Sequence, residues 1–519
     1  MHIDIIETMP QLSRLEENWN AVYDADDEAQ VYLSWQWLSG WLSCIPGPWF
    51  ILAAKERDAA DLPYAGFLPL RLQTTIEKAD VFGDIRMAGN FAADYTGLVC
   101  RTEAENRVIP AFARTIKQMS WTRLHLDNIR MSERRWRLLT ACFPKAGFHA
   151  TNVDKVNFEK IDNSLCPYAP LPDDWNSFLD QLSANTRQKI RRLLKQVEAS
   201  SEYRITVATP ETFERDLKTL LGFWDTKWRA RKADRIDGLI RTNSAMLTRS
   251  FQSGLVYLPT FWHGERPVAA LATLMEPRKR TFSFYMTGRD ETFVGPPAGM
   301  LLHAYSIRHA IERGFVEYDF LRGNEPYKYS FGCKERKIYS IVLETRSGRN
   351  LGGRIDPRCI PDLLEQATEL HRKGKAGDAE AGYRRILEVR PKHADALHRL
   401  GQLLAAKPDL AGAKRAFRAL TTVRPDAAKA WQCLGQVCER LDQHEEALRH
   451  YIEFVRLQTD SPDAFVAVAQ CMVKLGRMAE INAALLAAIE PANGASVRKW
   501  RDWRSVPDRQ ATRGQAISA

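Results

Sequence analysis

Between Tyr318 and Gly332 the chain reads Tyr-Asp-Phe-Leu-Arg-Gly-Asn-Glu-Pro-Tyr-Lys-Tyr-Ser-Phe-Gly, which crowds carboxylates, cations and phenols into one short segment. Acyl transfer needs these groups: a base to take the acceptor's proton, a proton donor for the leaving group and a cation for the developing oxyanion. Asp319 and Glu325 are the candidate bases, Tyr327 the candidate acid, and Arg322 and Lys328 the candidate cations. A loop leaving a strand end can aim such groups into one cleft. The segment predicts Lys328 as an exposed residue whose long side chain swings over that cleft. Each residue alone also has an ordinary reading: Asp319 as a turn cap, Arg322 as a surface charge, Tyr327 as core, Lys328 as a solvated loop lysine.

A second candidate lies upstream, where the turn-rich stretch Arg289 to Gly299 precedes an apolar helical pattern. Exposed N–H groups at a helix start hold phosphates, which would place Gly295, Gly299 and Met300 against a donor's phosphates. A plain glycine-proline turn fits the same residues.

The elements that must position these groups are short strands. Leu255 to Phe261 and Val268 to Met275 read as a hairpin, Thr281 to Gly288 as a third strand, and Val316 to Phe320 as a strand after the helix that Gly314 closes. Alternation puts Glu317 and Asp319 on one face of that strand. Ile338 to Thr345 is expected to complete this sheet. A weaker copy of the order occupies the first 160 residues, with a helix around Leu12 to Tyr23 and strands at Phe50 to Ala54, Ala65 to Leu72 and Arg123 to Asp127. The proline-rich Pro167 to Pro172 is expected to link the two halves.

The C-terminal quarter repeats. Leu363, Leu397, Trp431 and Phe465 recur every 34 residues, as do Ala379, Ala413 and Ala447, then Tyr383, Phe417 and Tyr451, with Pro391 and Pro425 ending the second helices. That period and those residue types predict tetratricopeptide (TPR) helix pairs, in which small residues let helices approach and aromatics fill the gap. Thr459 and Ile481 depart from the pattern, as suits a terminal cap. The expected class is therefore α/β, two tandem mixed α/β units followed by an all-α solenoid. The expected boundaries are 1–165, 166–350 and 360–495, with a disordered basic tail at 496–519 containing Arg498, Lys499, Arg501, Arg504, Arg509 and Arg513.

A net charge of +10 admits anionic partners without choosing among lipid, nucleic acid, CoA or nucleotide-sugar phosphates. The nine cysteines include no CxxC pair, which favours reduced thiols over a disulfide framework or a zinc site and hence a cytoplasmic location. Asp4 and Glu7 stand where a secretory leader needs basic residues, and no run approaches a membrane span. No metal and no DNA partner are expected.

The YDFLRGNEPYKYSFG segment resembles the terminal motif of CelD-like GNAT-type acyltransferases, and more distantly that of Fem-type peptidyltransferases. The Ala93-Asp94-Tyr95-Thr96 run, the basic run Arg187 to Arg192, Trp224, Trp228 and the Gly295 to Gly299 turn agree in order, so the likeness spans about residues 5 to 345. It implies two GNAT-like units with the working cleft mainly in the second, and an acyltransferase acting on a sugar or exopolysaccharide precursor with acetyl-CoA as donor. It also implies Lys328 as a substrate-binding lysine, with Arg187, Arg191, Arg322, Trp228, Asp94 and Tyr95 near the substrate. The TPR array would dock a protein partner, recruiting the enzyme to a membrane-bound synthesis complex. Phe293 to Ala298 departs from the family's CoA-binding loop, since Pro296 and Pro297 each remove an N–H donor. Two alternatives stand beside this reading: an aminoacyl-tRNA-dependent transferase, and a non-catalytic GNAT-like/TPR scaffold.

Overall fold

The computed structural model describes residues 1–44, 47–157 and 159–489, so the basic tail lies outside the described residues. The chain forms two compact units. One comprises Met1–Gln73 and Gly83–Gly353, the other Thr74–Phe82 together with the chain from Arg354 onward.

Two eight-stranded sheets build the first unit's frame. The strands in chain order are β1 (His2–Ile6), β2 (Trp49–Lys55), β3 (Gly66–Glu77), β4 (Asp80–Met87), β5 (Val99–Cys100), β6 (Arg123–Ile129), β7 (Phe148–Asn152), β8 (Leu165–Pro170), β9 (Tyr203–Val207), β10 (Val256–Tyr257), β11 (Pro259–His263), β12 (Arg266–Glu276), β13 (Thr281–Arg289), β14 (Glu317–Asp319), β15 (Lys334–Lys337) and β16 (Tyr339–Thr345). The first sheet runs β1-β2-β3-β4-β6-β16-β7 with β5 on β3, and the second β15-β8-β14-β13-β12-β11-β9 with β10 on β12. Each sheet contains one parallel pair bridged by a helix. Helix Glu105–Gln118 joins β4 to β6, and helix Ala298–Glu312 joins β13 to β14. The expected two mixed α/β units followed by helices are thus present.

Two elements differ from expectation. Strand β16 does not complete the second sheet; it inserts between β6 and β7 of the first. Its Ile341 and Leu343 are buried there, and strand pairing at a distance is invisible to local pattern. The stretch Pro167 to Pro172 is not a free linker either, because most of it is β8, the strand between β14 and β15. Its prolines lack N–H but not C=O: Phe320 N–H donates to the Pro167 carbonyl, and just past the strand the Leu171 N–H donates to the Val316 carbonyl.

One core crosses from the first sheet to the second, joining Trp19, Trp37, Trp41 and Phe67 to Leu220, Leu274, Met286 and Leu321. A second core lies under helices Ala184–Glu198 and Ala298–Glu312 and includes Leu193, Leu301, Ile307, Phe282 and Phe320. Gly288 lets helix Phe213–Lys232 cross β13 closely, since a Cβ there would lie 2.7 Å from the Phe223 Cβ and 2.9 Å from the Leu220 carbonyl.

The other unit is helical, from Ile360–Arg372 to Ile481–Ile489. Its alanines behave as the period demands: Ala379, Ala413 and Ala447 are fully buried. A Cβ on Gly401 would strike the Phe417 ring at 2.7 Å, and one on Gly435 the Tyr451 ring at 2.4 Å, so glycine and aromatic are fitted as pairs. The repeat pattern does not show one further piece, the hairpin tip Thr74–Phe82. Val81 shares a core with Ile355, Ile360, Leu363 and Ile386, Ile76 packs on it, and Asp378 accepts from the Ala79 N–H at 2.8 Å.

Candidate acyl-transfer site

The end of β14 and the loop after it organise the site. Asp319 is buried and fully engaged: it accepts from the Tyr95 hydroxyl at 2.9 Å, from the Leu321 N–H at 2.8 Å and from Arg336 at 3.0 Å. Arg336 also forks onto Glu317 and lies 4.2 Å from the Tyr168 ring centroid. Burial pushes the Asp319 carboxyl up, against the pull of Arg336. With no oxygen left open, Asp319 positions Tyr95 and the loop; it is not placed to take a proton from an acceptor.

The loop then turns through two left-handed residues, Leu321 (φ 57°) and Gly323 (φ 99°). Lys328 makes this turn possible. It is 2% exposed, and its ammonium donates to the Arg322 carbonyl at 2.8 Å and the Gly323 carbonyl at 2.9 Å while pairing with Glu325 at 2.8 Å. The expectation of an exposed lysine swinging over a cleft is therefore corrected: the short helix Pro326–Tyr329 folds its amine inward, where the strained carbonyls need a cation. Glu325 is spent on the same lysine.

Arg322 points the other way, toward the first half. Its Nε and Nη2 both meet one oxygen of Asp94, at 2.9 Å and 2.6 Å. Asp94 Oδ2 has no hydrogen bond among the described residues, and the side chain is 26% exposed, so this is the carboxylate with an oxygen to offer. Neighbouring Tyr285 donates from its hydroxyl to the Asn243 side chain at 2.6 Å or the Ala92 carbonyl at 3.1 Å. Sequence reasoning missed Tyr32, Trp37, Tyr285 and Asn243 here; they come from separate segments and only the fold joins them.

Tyr327 is 45% exposed and packs along His303, with ring centroids 5.7 Å apart. Burial of its inner side and Glu325 raise its hydroxyl above the ordinary range, which keeps the proton on the phenol. His303 donates to or accepts from the Tyr318 hydroxyl at 3.0 Å, and burial, aided by Lys328, pulls it down to about 3. It sits on the helix that opens at Ala298. There the Ala298, Gly299 and Met300 N–H groups have no intrahelical partner, and a Cβ at Gly299 would meet nothing within 4 Å. The Pro297 cap adds no donor. Gly295 belongs to a different feature, because the Phe293 ring folds over it and would touch a Cβ at 2.3 Å. The space beside Gly299 is thus open, while that beside Gly295 is filled by the Phe293 ring.

Among the described residues, Arg187, Arg191 and Trp228 share no hydrogen bond or ion pair with the loop. Arg187 pairs with Asp180 at 2.9 Å, while Lys189, Arg191, Arg192 and Lys195 are exposed on the same helix without ion pairs among the described residues. Trp228 and Trp224 lie 6.5 Å apart on helix Phe213–Lys232 with the Lys232 ammonium against both rings. In the helical unit Cys438, Glu446 and His450 bring ligand-type atoms within 4.8 Å, but Glu446 is already held by Lys414 at 2.5 Å and Arg418 at 2.6 Å. The nine cysteines form no disulfide among the described residues. No helix among the described residues is long and apolar enough to cross a membrane.

Residues 184–329 match the family model described as an acetyltransferase (GNAT) domain. This match supports an acyltransferase in general. The match ends within the Lys328 helix and encloses the Gly299 helix start. Among solved structures, FemX is similar at 11% identity over 66% of this chain and 97% of its own, with a TM-score of 0.44. MamA is similar at 18% identity over 28% of this chain and 83% of its own, TM-score 0.24. The first TPR of Spaghetti, solved with an HSP90 peptide, is similar at 17% identity over 24% of this chain and 98% of its own, TM-score 0.23. No curated protein matches the chain.

Proposed function

We propose that the protein transfers an acyl group, acetyl in the simplest case, from acyl-CoA to an amine or hydroxyl of a sugar or exopolysaccharide precursor, with the TPR unit docking a protein partner. The observation that carries this reading is the acetyltransferase match at 184–329, because it contains both an open helix start and the loop that presents Arg322 and Tyr327. The acceptor side is the Asp94–Arg322 mouth. The acceptor oxygen or nitrogen attacks the thioester carbonyl, its proton passes to Asp94 Oδ2 and from there to solvent, the C–S bond breaks, and CoA leaves as the thiolate with a hydrogen bond from the Tyr327 hydroxyl. Asp319 and Lys328 act by holding Tyr95 and the Arg322 turn in place. The N–H groups at Gly299 and Met300 bind the donor's pyrophosphate, favoured by the positive helix end.

A cavity of about 690 Å³ in the helical unit, lined by Gln402, Lys429, Cys433, Gln436, Arg440 and Lys474, supports the docking role. The test of the donor is calorimetric titration with acetyl-CoA. Gly299→Asp should lower affinity at least tenfold without changing the melting temperature, and equal affinities remove this helix from the site. The unpaired cations of helix Ala184–Glu198 favour one second reading, an aminoacyl-tRNA donor. That donor would bind with a steep loss of affinity as salt rises, which acetyl-CoA would not show.

A further inference from the structure

Buried hydrogen-bond donors almost always find partners, and leaving one without costs about 1–3 kcal/mol. Three such donors stand on one short stretch beside the Asp94–Arg322 mouth. The Tyr32 hydroxyl and the Trp37 indole N–H belong to residues that are each 1% exposed, the Gln30 Nε2 to one that is 2% exposed, and none has a hydrogen bond. The Tyr32 and Trp37 rings pack edge to face at 5.1 Å, Tyr32 lies 6.0 Å from Tyr95, and Trp37 lies 6.3 Å from Tyr285. Trp37 lies on helix Trp35–Cys44, and one turn further along it the Trp41 indole donates to the Phe91 carbonyl at 2.6 Å, so this helix face lies against the 90–92 segment. There the Asn90 Oδ1 is a buried acceptor, also without a donor. The wall is therefore aromatic, with unspent N–H and O–H groups and one unspent carbonyl oxygen.

Among the neighbours, the Tyr95 hydroxyl is spent on Asp319, the Tyr285 hydroxyl on Asn243 or Ala92, and Arg322 on Asp94, whose Oδ2 is the acceptor left open. A cationic group cannot serve, because it brings donors to donors. Lys155, partly buried and without an ion pair among the described residues, is held below the ordinary lysine range by burial and by Arg322, against the pull of Asp127. A carboxylate would meet Asp94. The group that completes the set is neutral, accepts through oxygen and donates one N–H.

The geometry points to a secondary-amide subsite in this acceptor cleft: the ligand's carbonyl oxygen accepts from Tyr32 and Trp37, its N–H donates to Asn90 Oδ1, and its small acyl substituent lies along the Trp37 and Tyr285 rings. This rests on the reading of the Asp94–Arg322 mouth as the acceptor side. An acceptor carrying an N-acyl group satisfies it, and one carrying a free ammonium at that position does not.

Saturation-transfer NMR on the full chain, with N-acetylglucosamine against glucosamine as probes, tests the subsite. The N-acetyl methyl protons should be saturated strongly and glucosamine protons at least fivefold less. Tyr32→Phe and Trp37→Phe should each abolish most of the transfer. Tyr32→Phe should also leave the melting temperature equal or raised, because it removes an unpaired buried donor while keeping the ring, whereas Trp37→Phe also empties core volume and lowers it. The Tyr32→Phe result separates a ligand site from a structural role, in which losing the group would lower stability. Equal saturation of the two probes, or transfer that survives in both variants, overturns the proposal. Acetyl-CoA titration of the same samples reports separately on the acyl-transfer reading, so either can fail while the other stands.

Discussion

Lys328 is where sequence and structure predict opposite outcomes for one substitution. An exposed loop lysine can be truncated with changes within about 0.5 kcal/mol. The buried ammonium instead holds two carbonyls, at 2.8 Å and 2.9 Å, and a carboxylate. Removing a buried charge strands its partners at about 3–5 kcal/mol. The Glu325 side chain is 38% exposed and can rehydrate, so the lower end applies, about 3 kcal/mol. For a unit spanning Met1–Gln73 and Gly83–Gly353, with about 2.1 cal/mol/K of unfolding entropy per residue, that is a fall of about 4 °C in melting temperature. Lys328→Met, which keeps the aliphatic stem and removes the charge, should show this fall by differential scanning fluorimetry, and Glu325→Gln should show a smaller one. Acyl transfer should drop in both, because the Arg322 turn loosens. A Lys328→Met protein with wild-type melting temperature and no activity would refute the account and return the ammonium to the substrate.

Other expectations follow from single contacts. His303 is held at about 3 by burial, whereas an unfolded histidine titrates near 6.5. The unfolded state therefore binds the extra proton first as pH falls, and stability should decline between those values by about 1.4 kcal/mol per pH unit at most. Urea melts at pH 7.5 and 5 should differ in the wild type and differ less in His303→Asn. Gly288→Ala forces a Cβ to 2.7 Å from Phe223 and should cost about 1–3 kcal/mol in the same melts. A chain ended at Gly353 retains Ile76 and Val81 without the helices that bury them, and should aggregate more than one that also carries Val81→Thr and Ile76→Thr, as light scattering would report.

How much of this was legible beforehand varied with the range of the interactions. The repeat unit was readable because its glycine-aromatic pairs, such as Gly435 with Tyr451, recur within a fixed period. Strand β14 and the helix Ala298–Glu312 were readable because alternation and Gly314 (φ 75°) are local signals. The partner of β16 was not, since pairing Leu343 with Leu124 and Ala150 is decided across the chain. Nor could spacing reveal that Lys328 points inward. Two of its three partners are backbone carbonyls, which leave no mark on residue type, and the Glu325 pair three residues away fits an exposed lysine equally well. The same limit hid Tyr32 and Trp37, whose unspent hydrogen bonds are visible only once every neighbour's are counted.

The hairpin tip Thr74–Phe82 makes the helical unit discontinuous in sequence, and this sets an order of assembly. Asp378 and Asp80 tie helix Ala376–Val389 to residues about 300 positions earlier, through Ala79 and Arg385. During synthesis the tip leaves the ribosome long before those helices exist, carrying Ile76 and Val81 uncovered for the time taken to make the intervening chain. At about 5–20 residues per second that wait is on the order of 15 seconds to a minute. Chaperone dependence of this protein should therefore be concentrated in that interval, and a circular permutant that starts near Ala376 and so makes the helices before the tip should lean on chaperones less.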